Sequence, residues 1–224
     1  MIPLRDSRPL SRFPFWVILI ILVNAYIFYL ELTSPNPDQF ITKYSLIPSQ
    51  IDFSNYKTLF PFISSQFIHG GFLHIISNMI FLWVFGNNIE ATLGFLLFPI
   101  FYLVSGVIAG LTQFFFTPTA TIPMLGASGA IAGVLGSYFA LFPRNKIKTL
   151  IFIFVFITII DVPAYFLLFF WFITQFFSGV SSISASADSG GIAFLPHMGG
   201  FLFGWSITIP MLAKLRYPKF KIFS

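Results

Sequence analysis

The sequence predicts an all-α polytopic membrane protein, a bundle of six transmembrane helices with both termini in the cytoplasm. Of the 224 residues, 57% are hydrophobic and only 8% are charged, which is too few charges to cover a water-soluble domain. Apolar stretches of roughly the length that spans the hydrocarbon core recur along the chain. Lys and Arg cluster beside alternate stretches, as they do in cytoplasmic loops.

Six candidate spans divide the chain. They cover residues 15–30, 72–88, 94–116, 128–142, 147–177 and 195–212. The first follows three arginines, as in a signal peptide, but no small-residue cleavage site follows it, so we expect an uncleaved span. The fifth would be about 46 Å long as one helix, too long for a simple crossing. Since Asp161 and Pro163 interrupt it, we expect 147–160 to lie along the interface or to form a hairpin-like insertion, and 163–177 to cross.

The basic residues orient the predicted bundle. If six helices alternate, all but Lys43 and Lys57 of the 12 Lys and Arg residues fall on one side. These are Arg5, Arg8, Arg12, Arg144, Lys146, Lys148, Lys214, Arg216, Lys219 and Lys221. We therefore place an N-terminal segment, 1–14, and a basic tail, 213–224, in the cytoplasm, at the ends of one membrane domain spanning 1–224. Topology also explains the net charge of +5 without a nucleic-acid partner.

The loops on the other side include two long ones. Residues 31–67 are polar enough to lie at the surface, and 179–191 are rich in Ser, Gly and Ala, which give the loop little to pack. The fourth span is short, and 123–127 precede it, so we expect the chain to dip into the protein before that helix begins. Irregular backbone at membrane depth is tolerated only where it is buried or lines a cavity.

Polar side chains inside the spans are candidates for function, because hydrocarbon makes them costly. Four stand out: His74, Asn78, Ser128 and His197. Counted back to the cytoplasmic end of each helix, His74, Ser128 and His197 lie at about 24 to 26 Å and Asn78 at about 18 Å. All four therefore lie several Å below the external surface.

These residue types suit acyl transfer by a serine. Ser128 would be the nucleophile and His197 the general base. A helix that begins at Ser128 leaves first-turn N–H groups free to hold an oxyanion, and His74 and Asn78 would add side-chain donors. The alternative for His74 and Asn78 is a hydrogen bond between helices. We exclude Asp161 as a third member, since it follows the cytoplasmic cluster closely.

Three motifs resemble the signature of the rhomboid family of intramembrane serine proteases. His69, His74 and Asn78 match its H-x-x-x-x-H-x-x-x-N, and residues 126–129, Gly-Ala-Ser-Gly, match its G-x-S-G. His197 begins H-M-G-G at 197–200, and Gly204 follows, which matches H-x-x-G-x-x-x-G. The resemblance covers about 60–212. Each motif alone is weak, but their order and their positions on the spans make the set specific.

The resemblance implies a rhomboid-like bundle with a Ser–His dyad and no acidic third member. It implies cleavage of the transmembrane segments of other proteins near their external ends. Ser128 would attack, His197 would take its proton, and His74 and Asn78 with the Ser128 amide would bind the oxyanion. His69 would have a structural role. For access we expect 163–177 and the 179–191 loop to move.

The sequence departs from the family pattern near the histidine. The position one turn after the nucleophile, often aromatic in the family, is Ala132, so another group must orient the His197 ring. Pro196 replaces a small residue, and the first external loop contains no tryptophan and so lacks the family's Trp-Arg pair. None of these changes removes a reacting group.

Other readings remain. An inactive rhomboid-like protein would bind transmembrane clients without cutting them, but it would be expected to lack the serine or the histidine. A transporter would favour inverted repeats, and none is visible. The glycines at 129, 133, 136, 200 and 204 also suit close helix packing.

We expect no cofactor or metal, and partners limited to transmembrane substrates and the bilayer. We place the protein in the cytoplasmic (inner) membrane of a bacterium.

Overall fold

The computed structural model describes residues 1–8, 12–153, 156–184 and 194–216. Eight helices in these residues are labelled α1 to α8 in chain order: α1 Phe15–Thr33, α2 Pro37–Tyr44, α3 Pro61–Ser64, α4 Phe72–Leu93, α5 Leu97–Phe116, α6 Ser128–Leu141, α7 Ala164–Ser184 and α8 Phe194–Arg216. Three strands complete the list: β1 Ile2–Asp6, β2 Lys146–Ile153 and β3 Phe156–Pro163. Short 3₁₀ turns lie between α2 and α4, and α4 contains one π-helical stretch, Leu82–Gly86.

The long helices correspond to the predicted spans. Helices α1, α4 and α5 are long and apolar enough to cross a membrane by length and composition, within the described residues. Helix α6 has 14 residues and is about 21 Å long, so it is short, as predicted. The outward faces carry large apolar side chains, such as Tyr26, Leu73 and Phe166, which a bilayer solvates and water does not.

Strands β2 and β3 pair as a β-hairpin, which is one of the two forms expected for 147–160, although the strands themselves were not predicted. Strands β2 and β3 are antiparallel, with Ile147 opposite Val162. Strand β1 adds to the other edge of β2, so that Ile2 lies opposite Leu150. In β2 the exposed Lys146 and Lys148 alternate with buried residues, the period of two that a half-buried strand shows. A small sheet therefore accompanies the predicted helical bundle.

Two predicted boundaries differ from the structure. Helix α7 continues to Ser184, so the first part of the predicted 179–191 loop is helical. The remainder of that loop lies outside the described residues. Helix α8 likewise continues to Arg216, into the predicted tail, whose last residues, 217–224, also lie outside the described part. The predicted movement of the loop stays a prediction.

Helix α6 lies at the centre of the bundle. Its residues from Gly129 to Tyr138 are all buried, and it packs most closely against α8. A Cβ at Gly136 would overlap the carbonyl oxygen of Phe201, and a Cβ at Gly204 would overlap that of Gly133. Glycine at these positions therefore lets the two backbones touch, as the packing interpretation predicted. Ser137 strengthens the contact by hydrogen bonding to Thr208 at 2.8 Å.

The segment before α6 is held inside the protein by backbone hydrogen bonds. Leu46 and Met124 exchange two such bonds, of 2.9 and 2.8 Å. The N–H of Gly126 donates to the carbonyl of Ser65 over 2.8 Å. Both partners belong to the long loop between α1 and α4. The segment before Ser128 is therefore irregular backbone fixed by this long loop, in agreement with the predicted dip, and its depth in a membrane stays a prediction.

Candidate active site

The turn into α6 fixes the position of Ser128. Gly126 has φ +112°, in the region that glycine adopts readily and other residues avoid. A Cβ there would also lie 2.7 Å from the ring of His74. Ser128 is the first residue of α6, and no side chain caps this end of the helix. Its first-turn N–H groups are therefore available to a ligand.

His197 lies near the start of α8 and faces Ser128. Its Nε2 is 2.7 Å from Ser128 Oγ, which is hydrogen-bonding distance. The glycine contacts between α6 and α8 explain the approach: Gly200, one turn after His197, packs against the backbone of Gly129. The structure thus brings together the two residues that the sequence predicts as a dyad.

Two side chains of α7 hold the His197 ring on its other side. Gln175 Oε1 lies 2.7 Å from His197 Nδ1. Trp171, one helical turn earlier, packs against the imidazole with ring centroids 5.7 Å apart. Gln175 and Trp171 are thus the groups that orient the His197 ring in place of the aromatic that is missing at Ala132. Gln175 was missed, although an amide inside an apolar span is a signal that could have identified it.

His74 and Asn78 lie on one face of α4, beside the turn that precedes Ser128. His74 contacts Gly126, as described above, and the nitrogen of the Asn78 side chain is 3.0 Å from His69 Nε2. The backbone N–H of His69 in turn donates to the Glu31 carboxylate at 3.1 Å. One N–H of the Asn78 amide can bond to His69 while the other stays available, because the amide group carries two hydrogens.

Ser128 and His197 line a cavity of about 280 Å³. A separate cavity, of about 310 Å³, lies near Arg5 and Arg8. The dyad cavity is lined by His74, Ser77, Asn78, Phe81, Leu125, Ser128, Ile131, Leu135, Trp171 and His197. It therefore contains all four predicted site residues together. Its remaining lining is mostly apolar, which is typical of sites where a few polar groups set the chemistry.

Asp161 lies away from this cavity. It is in β3, where its carboxylate is 3.4 Å from Lys148 Nζ. Strand β3 pairs with β2, which follows the end of α6 opposite Ser128. The exclusion of Asp161 from the dyad therefore agrees with its position in the structure.

Residues 56–214 match the family model of the Rhomboid domain. Rhomboid protein 1, mitochondrial, of Saccharomyces cerevisiae is 36% identical over 118 residues, which are 51% of this chain and 33% of the yeast protein. Rhomboid protease GluP of Bacillus subtilis is 32% identical over 146 residues, 64% of this chain and 25% of the relative. The presenilin-associated rhomboid-like protein, mitochondrial, of Mus musculus is 30% identical over 177 residues, 72% of this chain and 41% of the relative.

The chain thus spans between a quarter and about two fifths of the length of these relatives. The family match covers most of the present chain and includes every residue of the cavity described above. The family match and the long apolar helices together show that the protein is an integral membrane protein and that it belongs to the rhomboid family.

Proposed function

We propose that the protein is an intramembrane serine endopeptidase that cleaves transmembrane segments of other proteins through a Ser128–His197 dyad. The observation that carries the proposal is the 2.7 Å contact between Ser128 Oγ and His197 Nε2 inside a cavity that also holds His74 and Asn78. A nucleophile in contact with a base, beside donors for an oxyanion, is the arrangement that acyl transfer needs. The name of the Bacillus subtilis relative, a rhomboid protease, supports the same reaction.

The first half of the reaction acylates the enzyme. Ser128 Oγ attacks the carbonyl carbon of the substrate peptide bond while His197 Nε2 takes the hydroxyl proton. The carbonyl oxygen becomes an oxyanion, which the Ser128 N–H, Asn78 and His74 stabilise by donated hydrogen bonds. The intermediate then collapses: the C–N bond breaks, and His197 passes its proton to the leaving amine.

The second half releases the other product. Water attacks the acyl carbon of the ester, and His197 takes one proton from that water. When the ester C–O bond breaks, the proton returns to Ser128 Oγ, and a carboxylic acid leaves. Serine and histidine are thus restored, and no cofactor enters either half. The second half requires water in the cavity. We expect water to enter from the external surface, because the irregular segment before Ser128 lies near that surface.

The proposed substrate class follows the resemblance to the rhomboid family, which implies cleavage of transmembrane segments near their external ends. A client segment must reach Ser128 from the bilayer, near the external end of the segment, because Ser128 starts its helix on that side. The termini and the basic clusters then face the cytoplasm. We place the protein in the cytoplasmic membrane of a bacterium, and we propose that α7 moves to admit the client.

The first test is labelling of the purified protein in detergent by a fluorophosphonate probe. Wild-type protein should be labelled, whereas Ser128→Ala and His197→Ala should not, because one lacks the nucleophile and the other lacks the base. Each variant should also fail to cleave a transmembrane substrate in liposomes. Thermal unfolding of all three proteins provides the control for folding.

Two outcomes would contradict the protease. One is turnover that persists in Ser128→Ala. The other is a folded wild-type protein that the probe does not label, which would favour the inactive, client-binding alternative.

A further inference from the structure

Gln175 completes a line of three polar side chains from three helices. Its Oε1 lies 2.7 Å from His197 Nδ1, and the opposite ring nitrogen, Nε2, lies 2.7 Å from Ser128 Oγ. We infer that Gln175 is a positioning residue that sets the tautomer and the orientation of His197. The inference rests on the proposed function and extends it, since the dyad then depends on a third, uncharged side chain.

The tautomer argument begins at Ser128. A neutral imidazole carries one proton, and Nε2 must be without it to accept the proton of the serine hydroxyl. The proton then sits on Nδ1, where it donates to Gln175 Oε1. In the other tautomer the proton is on Nε2, so Nε2 would donate to Ser128 Oγ and could not accept the hydroxyl proton. An acceptor at Nδ1 therefore favours the reactive form, as the orienting group does in triads generally.

The orientation argument is independent and concerns Trp171. Its ring packs on the imidazole, with centroids 5.7 Å apart and planes tilted by 42°. Trp171 and Gln175 are one helical turn apart, so they occupy the same face of α7. Contact with this face limits the rotation of the imidazole ring. Helix α7 thus supplies both a packing surface and a hydrogen-bond acceptor for His197.

A purely structural reading is that Gln175 only fastens α7 to α8. That reading predicts a change in stability, but none in the position of the imidazole proton. The two readings separate when Gln175→Met is compared with Gln175→Glu. Methionine keeps the length of the side chain and removes the acceptor, whereas a carboxylate keeps an acceptor and has no donor when ionised.

The experiment measures two quantities on these variants and on Thr174→Val. Thr174 is exposed, and its hydroxyl donates to the carbonyl of Trp171 in its own helix, so it is a matched control in α7. The first quantity is the rate of fluorophosphonate labelling, resolved into its maximal rate and half-saturating concentration. The second is the ¹⁵N NMR spectrum of the histidine rings at mildly alkaline pH. The chain has only 3 histidines, and His197→Ala identifies the signal of His197.

We expect Gln175→Met to lower the maximal labelling rate about tenfold, the effect of losing one hydrogen bond, with little change in half-saturation. Its His197 signal should shift from the Nδ1–H tautomer toward a mixture. Gln175→Glu should keep the Nδ1–H form and most of the rate. Thr174→Val should match wild type in both measurements. Thermal unfolding should show that Gln175→Met and Gln175→Glu are both folded.

The inference is overturned if Gln175→Met keeps the wild-type spectrum of His197, whatever its rate. It is also overturned if Gln175→Glu loses as much rate as Gln175→Met while both are folded. The spectrum does not require turnover. Hence a wild-type protein that the probe does not label, but whose tautomer still depends on Gln175, would contradict the proposed function and leave the positioning role standing.

Discussion

Asn78 shows how one amide can serve two partners in the cavity. Its nitrogen is 3.0 Å from His69 Nε2, and the side chain also borders the space beside Ser128. On the proposed mechanism Asn78→Ala removes one oxyanion donor, and it should therefore lower kcat by about two orders of magnitude. The measurement is the rate of cleavage of a transmembrane substrate in liposomes.

A buried amide that does not line the cavity provides the control for this prediction. Asn24 on α1 is fully buried and donates to the carbonyl of Ile20 in its own helix. Asn24→Ala should change stability and leave the cleavage rate near that of wild type. An Asn78→Ala enzyme as fast as Asn24→Ala would return Asn78 to a purely structural role.

At this scale the sequence predicts much of the site. Ser128, His197, His74 and Asn78 could be found because each is a polar group in an apolar span at matching depth. Gln175 has the same property, but it belongs to no motif, and its partner is 22 residues further along the chain. Only the packing of α7 against α8 reveals that pair. The catalytic roles themselves stay predictions.

Helices α6 and α8 depend on glycine for their distance from each other. A methyl group on residue 204 would overlap the backbone of Gly133, which cannot give way as a flexible side chain could. Gly204→Ala should therefore destabilise the protein by about 1 to 3 kcal/mol and separate Ser128 from His197. Thermal unfolding in detergent and fluorophosphonate labelling measure the two effects.

Gly71→Ala is the matched control, because a Cβ at Gly71 has no neighbour within 4 Å. It should unfold near the wild-type temperature. If Gly204→Ala did the same and kept its labelling rate, close packing of the two backbones would not be what brings the dyad together.

The elements differ in how well the sequence predicts them. Helix positions follow from hydropathy, because a bilayer demands long apolar stretches. Residues 147–160 were expected to lie along the interface or to form a hairpin-like insertion, and strands were not predicted. The strands of the β2–β3 hairpin contain the same apolar residues as a span, and only the alternation of exposed and buried residues near Lys146 and Lys148 distinguishes them. Pairing with a strand at the other end of the chain is not visible in local periodicity.

Viewed as a whole, the molecule is fastened at the end opposite the dyad by Asp6. This buried carboxylate accepts hydrogen bonds from Tyr138 and, at 2.6 Å, from Asn88. It thereby joins β1 to α4 and α6. Asp6→Ala would leave buried donors without an acceptor and should lower the free energy of unfolding by about 2 to 4 kcal/mol, measured by denaturant or thermal unfolding.

Asp161 serves as the control carboxylate at the same end. Its ion pair with Lys148 is about half exposed on both sides, and exposed pairs contribute about 0 to 1 kcal/mol. Asp161→Ala should therefore change stability little. Equal losses in Asp6→Ala and Asp161→Ala would mean that the buried network is not a major attachment of the N-terminal strand.

The sidedness predicted from the basic residues agrees with this arrangement. Strand β1, with Arg5, pairs with β2, with Lys148, so the first and second basic clusters lie at one end of the molecule. Glu90, near the end of α4, accepts the backbone N–H groups of Trp16 and Val17 at the start of α1, at the same end. Gly126 and the long loop between α1 and α4 lie at the other end. Which end faces the cytoplasm stays a prediction from charge.

The pairing of Ile2 with Leu150 also sets an order of events during synthesis. The ribosome makes β1 first, yet its partner strand emerges only after α1, α4, α5 and α6 have been translated. Until then β1 has no strand to pair with, and Asp6 cannot accept a hydrogen bond from Tyr138. Strand β1 can therefore complete the sheet only after α6, which begins at Ser128, has been synthesised, although the hydrogen bond of Asp6 to Asn88 on α4 can form earlier.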